Sequence, residues 1–306
     1  MLAGCGTAAN PGESASEESI ADALSSADSP VEDGRPNSAE DSIAEPDEST
    51  GITEELPPLD EPGDADATDW PVGAHRKVRT LSKGPTRVEV IIDKPEGLSL
   101  DALLVLHGTV FLDRLVMSAA EKTLEEFRAL LDREDILLVS VAYPEEGLLF
   151  GDNVEHAFVA LEWLRENAAK EMGISIPRIF VAGHSQGGYI ATRLNTMQTV
   201  DGVVANAPGP IDLLYRCQGE ESGKIPPTPA CGLLASAHGT TTENPDAYVE
   251  RSLLNFTTGH LSPILFVQGL DDGAVQMHNW PIFREKIEAC SDCEALEFLE
   301  IPGFGH

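Results

Sequence analysis

The chain has 306 residues and a formal charge of −32 at neutral pH. Residues 1–70 hold nineteen acidic residues and one base, Arg35; the other 236 hold thirty-three acids and nineteen bases, a net of −14. That acidity argues against nucleic acid as a partner, and no run of about 18 apolar residues predicts a membrane span. The first segment is rich in Ser, Glu, Asp, Pro and Ala and has no sustained apolar period. It cannot bury enough surface to offset its chain entropy, so residues 6–69 are expected to form a disordered acidic tether. Residues 70–306 suffice for one domain with one core.

In chain order, Arg87–Ile92 reads as a first strand and Ala102–Leu106 as a buried one. Ser118–Asp132 reads as a helix with Leu124, Phe127, Leu130 and Leu131 on one side. Ile136–Ala142 is a strand stopped by Tyr143-Pro144, and Asn153–Met172 is a long helix. Arg178–Ala182 is a short strand, Gly188–Leu194 a helix, and Val203–Ala205 a strand. Residues 207–262 exceed a simple connection and read as a cap or lid, with one helix at Asp246–Leu254. The strand Pro263–Gly269, the helix Pro281–Cys290 and the strand Leu296–Ile301 complete the series. Strands alternating with helices predict an α/β fold, a mostly parallel sheet with helices on both faces.

The chemistry-bearing stretch is Gly183-His184-Ser185-Gln186-Gly187, between the Arg178–Ala182 strand and the following helix. Strand, Gly-x-Ser-x-Gly, helix is the context of a nucleophile elbow. The serine must occupy a tight, strained turn, and Gly183 and Gly187 remove side chains that would clash there. Three other segments end at the same side of the expected sheet: Leu103–Leu106 followed by His107-Gly108-Thr109, Pro263–Gly269 followed by Leu270-Asp271-Asp272, and Leu296–Ile301 followed by Pro302-Gly303-Phe304-Gly305-His306. In open α/β sheets ligands bind beyond the carboxyl ends of the strands.

Ser, Asp, His in that order resembles the α/β-hydrolase superfamily over residues 76–306. Within it, the prolyl-oligopeptidase and dienelactone-hydrolase side is the most similar, on the double glycine Gly187-Gly188, on the block from Asn244-Pro245 through Glu250-Arg251-Ser252 into Pro263, and on Gly269-x-x-Asp272-x-x-Val275. The resemblance implies Ser185 as nucleophile, His306 as general base and Asp272 as the orienting acid. Gly269 and Val275 select Asp272 over its neighbour Asp271. His278 and His260 are the rivals of His306, in less suitable contexts. The oxyanion hole is expected from the backbone N–H groups of Gln186 and Thr109. His184 is expected to position rather than react, and Tyr143, Phe150 and Trp280 either line the pocket or pack in the core.

Leu2-Ala3-Gly4-Cys5 resembles a bacterial lipobox, in which Cys5 would carry the lipid. No basic and apolar segment precedes it, so the start is expected to be internal to a longer precursor. The implied location is the bacterial cell envelope, lipid-anchored or secreted, with the membrane as a partner through Cys5. Four cysteines remain, and local disulfides Cys217–Cys231 and Cys290–Cys293 suit such an oxidising compartment; zinc or redox chemistry at Cys-Ser-Asp-Cys is the alternative. No metal and no cofactor is expected: there is no dinucleotide fingerprint, Walker A or His-Glu-x-x-His. The expected activity is hydrolysis of small or polymeric carboxylic esters. A peptidase of prolyl-oligopeptidase type and a non-catalytic envelope binding protein are the alternatives.

Overall fold

The computed structural model describes Trp70 and residues 73–306. Cys5, the expected anchor, and residues 6–69, the expected tether, lie outside these residues. Among the described residues, eight strands form a single sheet: β1 (His75–Lys83), β2 (Thr86–Lys94), β3 (Asp101–Leu106), β4 (Ile136–Ala142), β5 (Ile179–His184), β6 (Gly202–Asn206), β7 (Ile264–Gly269) and β8 (Leu296–Ile301). Their spatial order is β1-β2-β4-β3-β5-β6-β7-β8. The first two pairings, β1–β2 and β2–β4, are antiparallel, and every later one is parallel. The central strands are apolar on both faces because both are covered; β3 is buried at all six positions.

Helices α1 (Val116–Leu130), α2 (Val154–Trp163), α3 (Ala169–Met172), α4 (Gln186–Asn195) and α8 (Ala274–Glu288) pack on this sheet. On one face, Ala120 and Leu124 of α1 meet Ile91, Leu103, Val105 and Leu138. On the other, α2, α4 and α8 share a larger core in which Tyr189, Phe266, Trp280 and Phe283 are fully buried. Burying one such aromatic side chain contributes on the order of 2–3 kcal/mol before entropy is counted. Among the described residues no helix is long and apolar enough to cross a membrane.

Several elements depart from the sequence expectation for identifiable reasons. Strand β1 was not expected, since His75–Lys83 is a charged stretch with little apolar content. It is an edge strand, where such residues are favoured, and its cations find acids: Arg76 with Asp93 and Glu125, Arg79 with Glu171, Lys83 with Glu162. It turns into β2 through a two-residue connection in which Gly84 takes φ +56. The long helix expected over Asn153–Met172 is continuous but contains a π-helical turn, Leu164–Ala168, between α2 and α3. Helix α8 starts at Ala274, seven residues before Pro281, so the proline lies inside it rather than at its first turn. The expected Asp246–Leu254 helix is only α7 (Pro245–Val249) followed by a 3-10 turn, Leu253–Asn255. Leu130, expected on the packed side of α1, is 77% exposed, one turn beyond the last covered position.

The 207–262 segment folds into α5 (Leu213–Glu221), α6 (Pro229–His238) and α7. They enclose a small core of their own from Leu213, Cys217, Cys231, Leu234 and Tyr248. A Cys217–Cys231 disulfide, with Cα atoms 5.4 Å apart, ties α5 to α6. A second disulfide, Cys290–Cys293, closes the loop between α8 and β8.

Candidate active site

Ser185 stands between β5 and α4 with φ 56 and ψ −119, a region that non-glycine residues avoid. The surrounding structure over-determines this conformation. The Ser185 N–H donates to Asn206 O at 2.9 Å, and its carbonyl accepts from Tyr189 N at 3.0 Å and Gly209 N at 3.2 Å. The flanking glycines leave no room for side chains. A Cβ on Gly183 would lie 2.3 Å from the Gly187 carbonyl group, and one on Gly187 would lie 2.1 Å from Leu106 O of β3. The elbow therefore presses against β3, which ends in His107-Gly108-Thr109, and this brings the Thr109 loop beside Ser185.

The three strand-end residues expected to act together are brought together. Ser185 Oγ lies 2.8 Å from His306 Nε2, and His306 Nδ1 lies 2.8 Å from Asp272 Oδ2. The loop bearing His306 crosses back over β7: the Leu270 N–H donates to Ile301 O and the Asp271 N–H to Phe304 O. Gly269 permits the crossing, because a Cβ there would sit 2.1 Å from Gly305 O. Asp272 is the acid that turns inward, with its side chain 5% exposed, while Asp271 faces solvent. His260 is buried against Asn195 and Phe266, and His278 stacks on Tyr215; neither meets Ser185.

Asp272 is held from behind by a residue the sequence reading passed over. Gln268, buried in β7, donates to Asp272 Oδ2 at 2.9 Å, and the Gly273 N–H donates to Oδ1 at 2.6 Å. Gln276 in turn donates to Gln268 Oε1 and to Pro208 O, each at 3.0 Å. The signal was a lone amide at the end of an otherwise apolar strand, Ile264-Leu-Phe-Val-Gln268. A buried polar group there needs a partner.

Burial lowers the pKa of two histidines beside the site. His184 lies 4.8 Å from His306, ring centre to ring centre, and burial and the His306 charge both push its pKa down. His107 is buried, stacks at 3.9 Å on Tyr143, and is pushed down to about 4 by burial. Tyr143 donates its hydroxyl to His107 O and does not line the cleft, and Trp280 is buried with its Nε1 donating to Glu300 at 2.8 Å. Of the three aromatics considered for the pocket, only Phe150 lines it.

His107 makes acid stability predictable. Its unfolded pKa is about 6.5. Between that value and about 4 the unfolded chain takes up a proton that the native site refuses. Unfolding is therefore favoured as pH falls, and the full stability is present above about 6.5. The expected contribution is a loss of about 2 kcal/mol between pH 7 and pH 5 in urea denaturation. His107→Phe, which keeps a ring on Tyr143, should show a correspondingly smaller loss; an equal loss would assign the acid sensitivity to other groups.

A cleft of about 1060 Å³ opens on Ser185, His306 and Asp272. Its walls are mainly apolar and include Phe111, Leu149 and Phe150 together with Ile211, Ile225 and Leu233 from the 207–262 segment. Thr109, Glu145 and Gln186 form its polar floor beside the serine. Glu145 carries no local signal in the sequence: it is one of two adjacent acids, Glu145-Glu146. Burial pushes its carboxyl group up to about 8, with the Val110 N–H and the Gln186 amide opposing that shift.

The profile of an α/β-hydrolase fold family matches residues 103–224. No curated protein sequence matches. Among solved structures, the chain is similar to a hyperthermophilic esterase from the archaeon Pyrobaculum calidifontis (TM-score 0.57, 17% identity, 78% of this chain and 77% of that one). It is also similar to Thermogutta terrifontis esterase 2 phosphorylated by paraoxon (TM-score 0.52, 16% identity, 76% and 84%). A puromycin-hydrolyzing peptidase of Mycobacterium tuberculosis superposes with TM-score 0.57 at 18% identity, over 76% of this chain but only 37% of that one. The sheet order, the strand-end placement of Ser185, Asp272 and His306, and these likenesses lead to one conclusion: the chain has the α/β-hydrolase fold.

Proposed function

We propose that this protein is a serine hydrolase that cleaves carboxylic esters through an acyl-enzyme. The observation that carries the reading is the unbroken line of hydrogen bonds Ser185 Oγ–His306–Asp272, each 2.8 Å long, at the floor of an apolar cleft. His306 Nε2 takes the serine proton as Oγ attacks the ester carbonyl carbon. Asp272 holds Nδ1–H and stabilises the imidazolium that forms. Negative charge develops on the carbonyl oxygen, where the backbone N–H groups of Gln186 and Thr109 receive it. Gln186 is the first residue of α4, so its N–H belongs to the end of a helix that carries partial positive charge. Collapse of the tetrahedral species expels the alcohol, which takes the proton from His306. Water, deprotonated by His306, then attacks the acyl carbon and releases the acid and Ser185. The apolar walls suit the acyl chain.

The alternative substrate is a peptide, favoured by the likeness to peptidases of which the chain spans 37–38% of the length. Hydrolysis of neutral nitrophenyl esters and of acyl-aminoacyl nitroanilides by the same preparation separates the two. Ester turnover at least tenfold faster at equal concentration supports the esterase; the reverse order selects the peptidase. Turnover of neither, with no mass adduct on Ser185 from an organophosphonate, would sink the hydrolase reading and leave a binding role.

A further inference from the structure

Glu145 is a half-buried carboxyl group beside the serine that the reaction above does not use. It lies just after β4, where Tyr143 joins the end of β3 and where the N–H groups of Glu145 and Glu146 both donate to Asp113 Oδ1 at 2.8 Å. Its side chain faces the Gln186 amide. Asn153 Nδ2 can only donate, so the Gln186 amide oxygen faces it, at 2.7 Å. The Gln186 amide nitrogen then donates to Glu145 Oε1 and to Thr109 Oγ1, each at 2.8 Å. The two residues whose backbone N–H groups face the substrate carbonyl are thus fastened to each other and to the β4 loop at a single point. The Val110 N–H, next along the same loop, also favours the ionised carboxyl group.

We propose that Glu145 is a positioning residue for the oxyanion hole: through the Gln186 side chain, and through it Thr109, it fixes the two strand-end segments whose backbone N–H groups bind the substrate oxygen. The inference rests on the serine hydrolase reading above. The physical case is one of preorganisation. Donors aimed in advance at the developing oxyanion cost no rearrangement during reaction, and a loose donor forfeits that advantage. Thr109 lies on a loop, not a helix or strand, so it depends on side-chain ties. Keeping a carboxyl group half-buried beside an oxyanion site is electrostatically costly, and its ties to Gln186 and Val110 offset part of that cost.

The test measures kcat and KM for a neutral short-chain nitrophenyl ester with the full chain. The variants are Glu145→Ala, Glu145→Gln, Gln186→Ala and the double alanine variant, with melting temperatures alongside. Since removal of one oxyanion donor costs about 10²–10³ in kcat, a displaced donor should cost about 10- to 100-fold, with KM within about threefold. Glu145→Gln retains an acceptor for the Gln186 amide and should recover most of kcat. Gln186→Ala keeps the backbone N–H but cuts the tie, so it should match Glu145→Ala, and the double variant should lose no more than either. If Glu145→Ala does not fold, Gln186→Ala, an alanine at the start of a helix, carries the same test. Unchanged kcat in Glu145→Ala or in Gln186→Ala, or additive losses in the double variant, would overturn the proposal. So would a rise in KM confined to cationic esters, which would make Glu145 a substrate-binding group. A wild-type protein that neither turns over nor forms a phosphonate adduct defeats the hydrolase reading instead, and the two failures are told apart by that control.

Discussion

Ser185→Ala should lower kcat for a nitrophenyl ester by about 10⁴- to 10⁶-fold while leaving the fold intact. A factor of 10⁴ is about 5.4 kcal/mol of lost transition-state stabilisation. The size follows from removing the attacking atom altogether, so only substrate binding and the oxyanion donors remain to act on water. Alanine demands no new space at the elbow, and the backbone bonds from Asn206, Tyr189 and Gly209 remain, so melting should be unchanged. The neighbouring aspartates supply the internal control. Asp272→Ala removes the partner 2.8 Å from His306 Nδ1 and should cost about 10⁴-fold. Asp271→Ala, at a solvent-facing side chain, should stay near wild type. A Ser185→Ala variant with undiminished turnover would remove the serine from the mechanism. Loss in Asp271→Ala but not in Asp272→Ala would move the orienting acid by one residue.

Gly187→Ala should damage the fold itself. Its Cβ would sit 2.1 Å from Leu106 O, 2.6 Å from Leu106 C and 2.7 Å from His107 O. These are backbone atoms of β3 and of the loop after it, and none can swing aside as a flexible side chain would. Relief requires α4 to move away from β3. Overpacking of this kind costs about 3 kcal/mol or more, which for a domain of this size lowers Tm by roughly 6–12 °C. Gly232→Ala is the matched comparison. Gly232 lies inside α6, and a Cβ there meets nothing within 4 Å. The same substitution should stabilise by about 0.5–1 kcal/mol, because alanine loses less chain entropy on entering a helix. Differential scanning fluorimetry reads both. A Tm for Gly187→Ala within 2 °C of wild type would mean that the elbow is looser than these contacts imply.

Much of the fold was legible because its central strands are apolar on both faces and short. Ile136–Ala142, central and buried at six of its seven positions, matches the observed strand residue for residue, and so does Leu296–Ile301, an edge strand whose burial alternates instead. The edge strand β1 was not legible. Its residues are chosen for solvent and for the acids of Glu125, Glu162 and Glu171, all remote in sequence. Helices α5 and α6 of the 207–262 segment were also hidden. They pack on each other and on a disulfide rather than on a sheet, so they carry no long apolar stripe. Pro281 misled for a different reason: proline favours a first helical turn, yet here the preceding turns of α8 are held by its packing on the sheet.

The site divides in the same way. Which residue types would meet was written in the chain, because a serine on a strained turn needs glycine on both sides and because ligands gather at the carboxyl ends of parallel strands. Ser185 could be named on that basis, Asp272 and His306 through the resemblance to α/β-hydrolases, and the Cys217–Cys231 pair from the even number of cysteines and their local spacing. Only the tertiary structure decided what holds them. Gln268 behind Asp272, Gly269 beneath the His306 loop and Glu145 beside Gln186 act across separations that no local pattern encodes. Spacing along one strand or helix reports which face a residue takes. Contacts between the ends of different strands depend on sheet order and on where each loop crosses, and these emerge only when the chain is packed.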